Sequence, residues 1–458
     1  MSRISFSACM QIVRTWAVSR GRFFWINICL AFAWLWLVRP LYDHSSVVPQ
    51  LLRFSFRYAL YLAIVTLPAV LYICGALLLS SARNRRLFAV AIATVCLCEI
   101  AVRCLGSGPT YAHSTCHYPM PYVMFTGKPN GRLSDAVPMV RKDADKSRDI
   151  RLNEFGFRIG QELARRKPPG EIRVFVLGGS AVFHGSPLSN TIPGHLEELL
   201  RKNGTTQARV YNLGVVSYVS GQELALLVHT LVDYSPDLVI VYDGCNDVAQ
   251  PFHLDPRPGY PFNFAVAEEG LLRMHGAVTL RSCVYPVALR SRLLRLILHR
   301  SLDLTMVPIQ EIRREVRFKS AEWETNIVRS YLSNLDKMCV LAEAFDFQLL
   351  LALQPTVHFK TTRSDAERAA CGSAEFSEYV KRQYSKLRTA YRQRQDTALH
   401  APRCHFVDMS DVFADYPEDA FWDFVHVDNP GNRHVARALH NHLRQVGILS
   451  RLSEGNSK

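Results

Sequence analysis

The first 110 residues of the chain carry almost no negative charge: eleven arginines stand against Asp43 and Glu99 alone. About nine of the fourteen formal positive charges therefore sit in this segment, which leaves the remainder modestly basic and removes charge as an argument for a nucleic-acid partner. Metal-ligand spacing is missing too. Of the twelve cysteines, Cys9, Cys29, Cys74, Cys96 and Cys98 fall in or before apolar runs, and Cys104, Cys116, Cys245, Cys283, Cys339, Cys371 and Cys404 form an odd set without metal-ligand intervals. Neither a zinc site nor a disulfide framework follows, although one or two disulfides could form in an oxidising compartment. His434, His440 and His442 gather near the C-terminus with no carboxylate or cysteine pattern to join them as ligands. No metal and no cofactor is expected.

What the N-terminal segment does contain is long apolar runs, at residues 23–38, 58–80 and 87–102. A membrane span needs about 20 apolar residues, which the second run satisfies outright. The two shorter runs depend on flanking aromatic residues such as Trp34, Trp36 and Tyr42. Residues 1–105 thus read as a membrane anchor of about three transmembrane helices. Arg3, Arg14, Arg20 and Arg22 precede the first run, and Arg83, Arg85 and Arg86 lie in what reads as a four-residue loop after the second. Basic residues stay cytoplasmic, so an odd number of spans puts the rest of the chain in a periplasm or extracellular space. A cleaved signal peptide or an organellar presequence are the rival readings of so acid-free a start. Glu99 would be an intramembrane carboxylate, serving function, helix packing or contact with the interface.

Residues 106–149, rich in Pro, Gly, Tyr and His, read as a linker that packs over the domain following it. From residue 150 to 458 apolar strands at 172–177, 209–214, 237–243, 348–353 and 405–409 alternate with helical patterns at 192–202, 222–232, 321–345, 376–397 and 431–446. This alternation predicts an α/β fold, a three-layer α/β/α flavodoxin-like parallel sheet, whose sites lie at the C-terminal ends of the strands. Four segments bearing chemistry end there. The first strand runs into Gly178-Gly179-Ser180, which would expose a serine hydroxyl as a nucleophile. The second ends in Gly214, whose amide hydrogen has no side chain in its way. The third ends in Gly244-Cys245-Asn246-Asp247, offering the neutral amide of Asn246. Near the C-terminus, Asp423-Phe424-Val425-His426 sets a carboxylate one turn from an imidazole, able to hold it in one tautomer as a general base. The backbone amides of Ser180 and Gly214 and the side chain of Asn246 would then form an oxyanion hole.

Singly, each segment has a plainer reading as a turn, a strand-end glycine, a cap or a helix start, the last reinforced by Asp428-Asn429-Pro430. Their order at successive strand ends is what makes them one constellation. The nucleophile elbow of the α/β-hydrolases requires Gly-x-Ser-x-Gly, and Val182 occupies the last position here.

In this order the blocks resemble the SGNH hydrolase superfamily, which includes the GDSL esterases and lipases. Its letters fall on Ser180, Gly214, Asn246 and His426, with Asp423 in the Asp-x-x-His position, over roughly residues 150–448. Gly179 stands where the Gly-Asp-Ser-Leu signature has its aspartate, which is not a catalytic residue of the family. Asn212 matches the Asn-x-Gly form of the second block, and Asn153–Arg158 resembles a segment often found before the first strand. The resemblance implies an esterase that works through a Ser-His-Asp acyl-enzyme on an acylated carbohydrate or lipid. It equally allows an O-acyltransferase that modifies an envelope polysaccharide or lipid with acyl groups from a membrane donor protein. A catalytically inactive binding module would have no need of all five residues. An insertion near 250–319, with Pro251, Pro256, Pro258 and Pro261, is the candidate for specificity. Within it, Arg290, Arg292, Arg295 and Arg300 among leucines suit a helix lying on a membrane or a packed helix with a basic face.

The topology is testable with a reporter that is active only outside the cytoplasm. Fused after Arg103 it should be active, and fused between Arg83 and Arg86 it should be silent; the opposite pattern would put the C-terminal domain in the cytoplasm.

Overall fold

Both faces of the central strands are apolar, so each strand feeds two cores at once. On the strand Ile172–Gly178 (β1), Val174 and Val176 enter one core while Phe175 and Leu177 enter the other. The computed structural model describes residues 82–104, 117–133, 150–160, 162–262, 309–397 and 402–455, with a few further positions between 264 and 294. β1 pairs with Ala208–Gly214 (β2) and Leu238–Asp243 (β3), followed by Gln348–Leu353 (β4) and Cys404–Asp408 (β5), in the order β2-β1-β3-β4-β5. All these pairings are parallel. This is the flavodoxin-like order, with its switch point between β1 and β3.

Two layers of helices cover the sheet. The helices Ile192–Lys202 (α3) and Asn429–Gln445 (α8) bury Leu196, Leu200, Val435 and Leu439 against one face. Ser220–His229 (α4), Ala321–Ala344 (α6) and Ala374–Thr397 (α7) bury Leu226, Trp323, Leu335, Tyr384 and Tyr391 against the other. Caps set several of their starts: Thr191 accepts from Gly194 N, Ser320 from Trp323 N and Asp428 from Gly431 N. The short helix Ser180–Phe183 (α2) and Cys245–His253 (α5) follow β1 and β3. A disulfide joins Cys339 on α6 to Cys404 on β5. The stretch read as a linker contributes a small antiparallel pair, Tyr118–Met120 with Met124–Thr126, and its Val123 and Phe125 are buried in the core beside α4.

The chain divides into two compact units, residues 1–110 with 275–304 and residues 111–274 with 305–458. The insertion at 250–319 is therefore split between them. Of the expected spans, 23–38 and 58–80 lie outside the described residues, and 87–102 falls on the helix Ala82–Cys104 (α1). Among the described residues no helix is long and apolar enough to cross a membrane. Arg83–Arg86 is not a loop but the first turn of α1, as good helix formers with no Gly or Pro would dictate. Glu99 accepts from Arg103 Nε, Ser291 Oγ and Leu293 N, each at 2.8 Å, and so caps a turn of the insertion within its own unit.

Beneath the C-terminal edge of the sheet lie three buried carboxyls, Glu223, Asp243 and Asp247. Asp247 accepts from Ser220 N and Oγ at 3.0 and 2.6 Å, and Asp243 from Tyr331 Oη at 2.7 Å. Among the described residues no donor reaches either Glu223 oxygen. Burial, then the neighbouring Asp243, pushes Glu223 well above the usual carboxylate range, so it keeps its proton. Burial likewise lifts Asp243 to about 6 and Asp247 to about 7, from 3.8. A carboxyl raised on folding binds a proton as the chain folds, so its stability contribution is full near its unfolded pKa and is lost as pH rises through the folded one. Unfolding free energy should therefore fall between pH of about 4 and about 7. Glu223→Gln, which cannot titrate, should flatten that fall in denaturant titrations; an unchanged slope would show that Glu223 titrates normally.

Candidate active site

Ser180 is brought to the sheet edge by two glycines that face each other in register, Gly178 on β1 and Gly214 on β2. A Cβ on Gly214 would lie 2.7 Å from Phe183 N and 2.8 Å from Val182 Cβ, and one on Gly178 would lie 2.4 Å from Tyr242 O. Bare backbone at both positions lets the first turn of α2 drop onto the strand ends. Ser180 is buried, with 7% of its surface exposed.

The partner arrives from a hairpin 246 positions later. His426 Nε2 lies 2.7 Å from Ser180 Oγ, and His426 Nδ1 lies 2.7 Å from Asp423 Oδ2. With Asp423 accepting from Nδ1–H, Nε2 is left as the acceptor for the serine hydroxyl. Asp423 Oδ1 accepts from the backbone amides of Val425 and His426 at 2.9 and 2.7 Å, which closes the turn on itself. Burial raises the Asp423 pKa, but the hydrogen bond and charge of His426 and the two amides outweigh it, and the carboxyl titrates below its usual range. The hairpin is completed by Trp422 N donating to His426 O and Asp428 N to Ala420 O.

Asn246, in the first turn of α5, donates from Nδ2 to Tyr218 O at 2.8 Å. The same nitrogen would lie 2.4 Å from a Cβ on Gly179, so the glycine leaves room for this amide beside Ser180. Gly214 must be corrected. Its N–H is already given to Asn212 Oδ1 at 3.1 Å, and its lack of a side chain serves the packing of α2 rather than a ligand. The turn after it carries a different residue: Ser217 is held at φ +69°, and its N–H, like that of Ser180, has no acceptor among the described residues. Three residues of α5 grip this turn, Asn246 through Tyr218 O, Asp247 through Ser220 and Gln250 through Ser217 O at 2.8 Å.

Trp422 and His184, close to the site, had no sequence signal of their own. Trp422 stacks on His426 with centroids 4.8 Å apart, and His184 meets both rings edge-on or tilted. In the lead-in segment, Asn153 Oδ1 accepts from Phe155 N and Phe157 N, and the buried Arg158 donates to Phe183 O at 2.7 Å. That bond ties the last residue of α2 to the segment, while burial lowers the Arg158 guanidinium to about 10. Among the described residues no group of three or more His, Cys, Asp or Glu side chains is placed to hold a metal ion.

No protein-family model and no curated protein matches the chain. Among solved structures, the acetylxylan esterase Axe2 from Geobacillus stearothermophilus is similar over 61% of this chain and 95% of its own, at 16% identity and a TM-score of 0.32. LAE5, an α/β hydrolase enzyme from the metagenome of Lake Arreo, Spain, is similar over 62% and 98%, at 16% identity and a TM-score of 0.31. The acetyl xylan esterase AlAXEase is similar over 59% and 100%, at 14% identity and a TM-score of 0.30. Independently of these likenesses, the strands have the flavodoxin-like order, and Ser180, Asp423 and His426 meet at one edge of the sheet.

Proposed function

We propose that the protein is a serine esterase that cleaves ester-linked acyl groups through Ser180, His426 and Asp423, at the outer face of a membrane to which its N-terminal segment anchors it. What carries this reading is the unbroken relay from Asp423 through His426 to Ser180, both contacts at 2.7 Å. His426 Nε2 takes the Ser180 proton as Oγ attacks the ester carbonyl, and the new oxyanion accepts from Ser180 N–H, Asn246 Nδ2 and, in place of Gly214, Ser217 N–H. Collapse expels the alkoxide, which takes the proton from His426 and leaves the acyl group on Ser180. Water, deprotonated by His426, then releases the acid. If a sugar hydroxyl takes the place of that water, the same residues make an O-acyltransferase, and acceptor competition on the trapped acyl-enzyme separates the two. Retention of one partner charge argues for orientation as much as for chemistry: a depressed Asp423 stays ionised and fixes the His426 tautomer.

The full chain in detergent should hydrolyse a short-chain nitrophenyl ester, and Ser180→Ala should abolish this; a variant that kept the wild-type rate would move the nucleophile elsewhere. Asn246→Ala should lower kcat by roughly 100- to 1000-fold with KM little changed. Because Asn246 also holds Tyr218 O, the thermal midpoint is measured beside the rate. A destabilised variant with intact kcat would reduce Asn246 to a turn-holding residue, at about 1 kcal/mol.

A further inference from the structure

Asp423 and His426 fix each other, since Asp423 Oδ1 closes their own turn, but nothing within that turn fixes it relative to Ser180. The external support comes from a buried ion pair. Lys360 and Glu367 are 2% and 0% exposed, and Lys360 Nζ donates to both Glu367 oxygens at 2.9 and 2.7 Å. Glu367 Oε1 also accepts the backbone amides of Ala420 and Phe421 at 3.0 and 3.1 Å, the two residues that lead directly into Trp422 and Asp423. Lys360 Nζ donates further to Glu418 O at 2.5 Å, two residues before that arm. From the same loop after β4, Val357 N donates to Phe424 O and Thr361 N to Ala414 O.

We propose that Glu367, oriented by Lys360, is a positioning residue that holds the Asp423–His426 hairpin at the distance from Ser180 at which the serine hydroxyl reaches Nε2. This inference rests on the esterase reading above. A buried ion pair is commonly no more stabilising than apolar side chains of the same volume, so stability alone gives no reason for one here. What a carboxylate with both oxygens engaged supplies is an acceptor of single orientation, aimed at two consecutive backbone amides. Ser364 adds to this by capping the short helix that carries Glu367, through Glu367 N to Ser364 Oγ at 3.2 Å. Burial tends to neutralise Glu367, yet Lys360 and the two amides together keep it ionised below its ordinary pKa.

Two charge-balanced double variants separate placement from stability. Lys360→Met/Glu367→Gln removes both charges but keeps a carbonyl oxygen for Ala420 and Phe421, whereas Lys360→Met/Glu367→Leu removes the acceptor as well. The Gln variant should keep kcat within about threefold of wild type, and the Leu variant should lose roughly 10- to 100-fold in kcat with KM within about twofold. Thermal midpoints of the two should be similar. A folded Leu variant with wild-type kcat, or a Gln variant that falls as far as the Leu variant, overturns the proposal. If the Leu variant does not fold, Glu367→Asp decides instead: it keeps a charge for Lys360 but withdraws the acceptor from Ala420 N and Phe421 N by one methylene, so a fall of about tenfold in kcat with KM unchanged supports the proposal and a retained kcat overturns it. Wild type and Ser180→Ala run in parallel. Absence of Ser180-dependent hydrolysis in the wild type removes the esterase reading, while its presence beside an undiminished Leu variant removes this inference alone.

Discussion

Everything at this site depends on one contact, the 2.7 Å approach of His426 Nε2 to Ser180 Oγ, made by residues 246 positions apart. A parallel sheet is what makes such a contact possible, because each crossover returns the chain so that all strand ends with chemistry emerge at one edge. The edge must then be trimmed. Gly178 and Gly214 do this by letting α2 settle on the strand ends, and Gly179 does it again by leaving space for Asn246. On the other side of the contact the hairpin is held from behind, by Glu367 at its rising arm and by the Asp428 cap of α8 at its exit. Neither support touches the reacting atoms, yet displacing either arm by the width of a methyl group would break a hydrogen bond that tolerates only a few tenths of an ångström.

The electrostatics divide along the same line. At the reacting edge Asp423 is held ionised by directed donors, so the imidazole has a fixed orientation. Beneath that edge, Glu223, Asp243 and Asp247 are raised by burial, and Asp243 and Asp247 accept from the hydroxyls of Tyr331 and Ser220. Asp247 nevertheless reaches Ser220 through both its oxygens, and with Asn246 and Gln250 it holds the turn that carries Ser217. Through Asp247 the acid cluster thus supports the turn that carries Ser217, at a cost in stability that grows with pH.

Much of this was legible in the residues themselves. The helix Ile192–Lys202 and the strand Gln348–Leu353 have the bounds that apolar periodicity predicts, because their signals are local: a Thr cap with Pro behind it, and an unbroken apolar run. α4 begins at Ser220 rather than at Gln222, since the group that settles its start is Asp247, far along the chain, and no local pattern carries that information. Gly214 shows the opposite failure. A strand-end glycine reads as room for a ligand, whereas its real neighbours are Val182 and Phe183. Ser217 could not be read at all, because a positive φ is signalled by Gly or Asn and here the surrounding turn imposes it on a serine. The Lys360–Glu367 pair was equally silent, two ordinary charged residues until the fold buries them together.

The proposed esterase function depends on Ser180 acting as a nucleophile that His426 activates. Reaction of the full chain with a fluorophosphonate, followed by peptide mass analysis, tests this without any knowledge of the natural substrate. A single adduct on Ser180, forming at least about 100-fold more slowly in His426→Ala, is the predicted result. No adduct on the folded wild type, an adduct on another residue, or labelling of Ser180 at the same rate without His426 would contradict it.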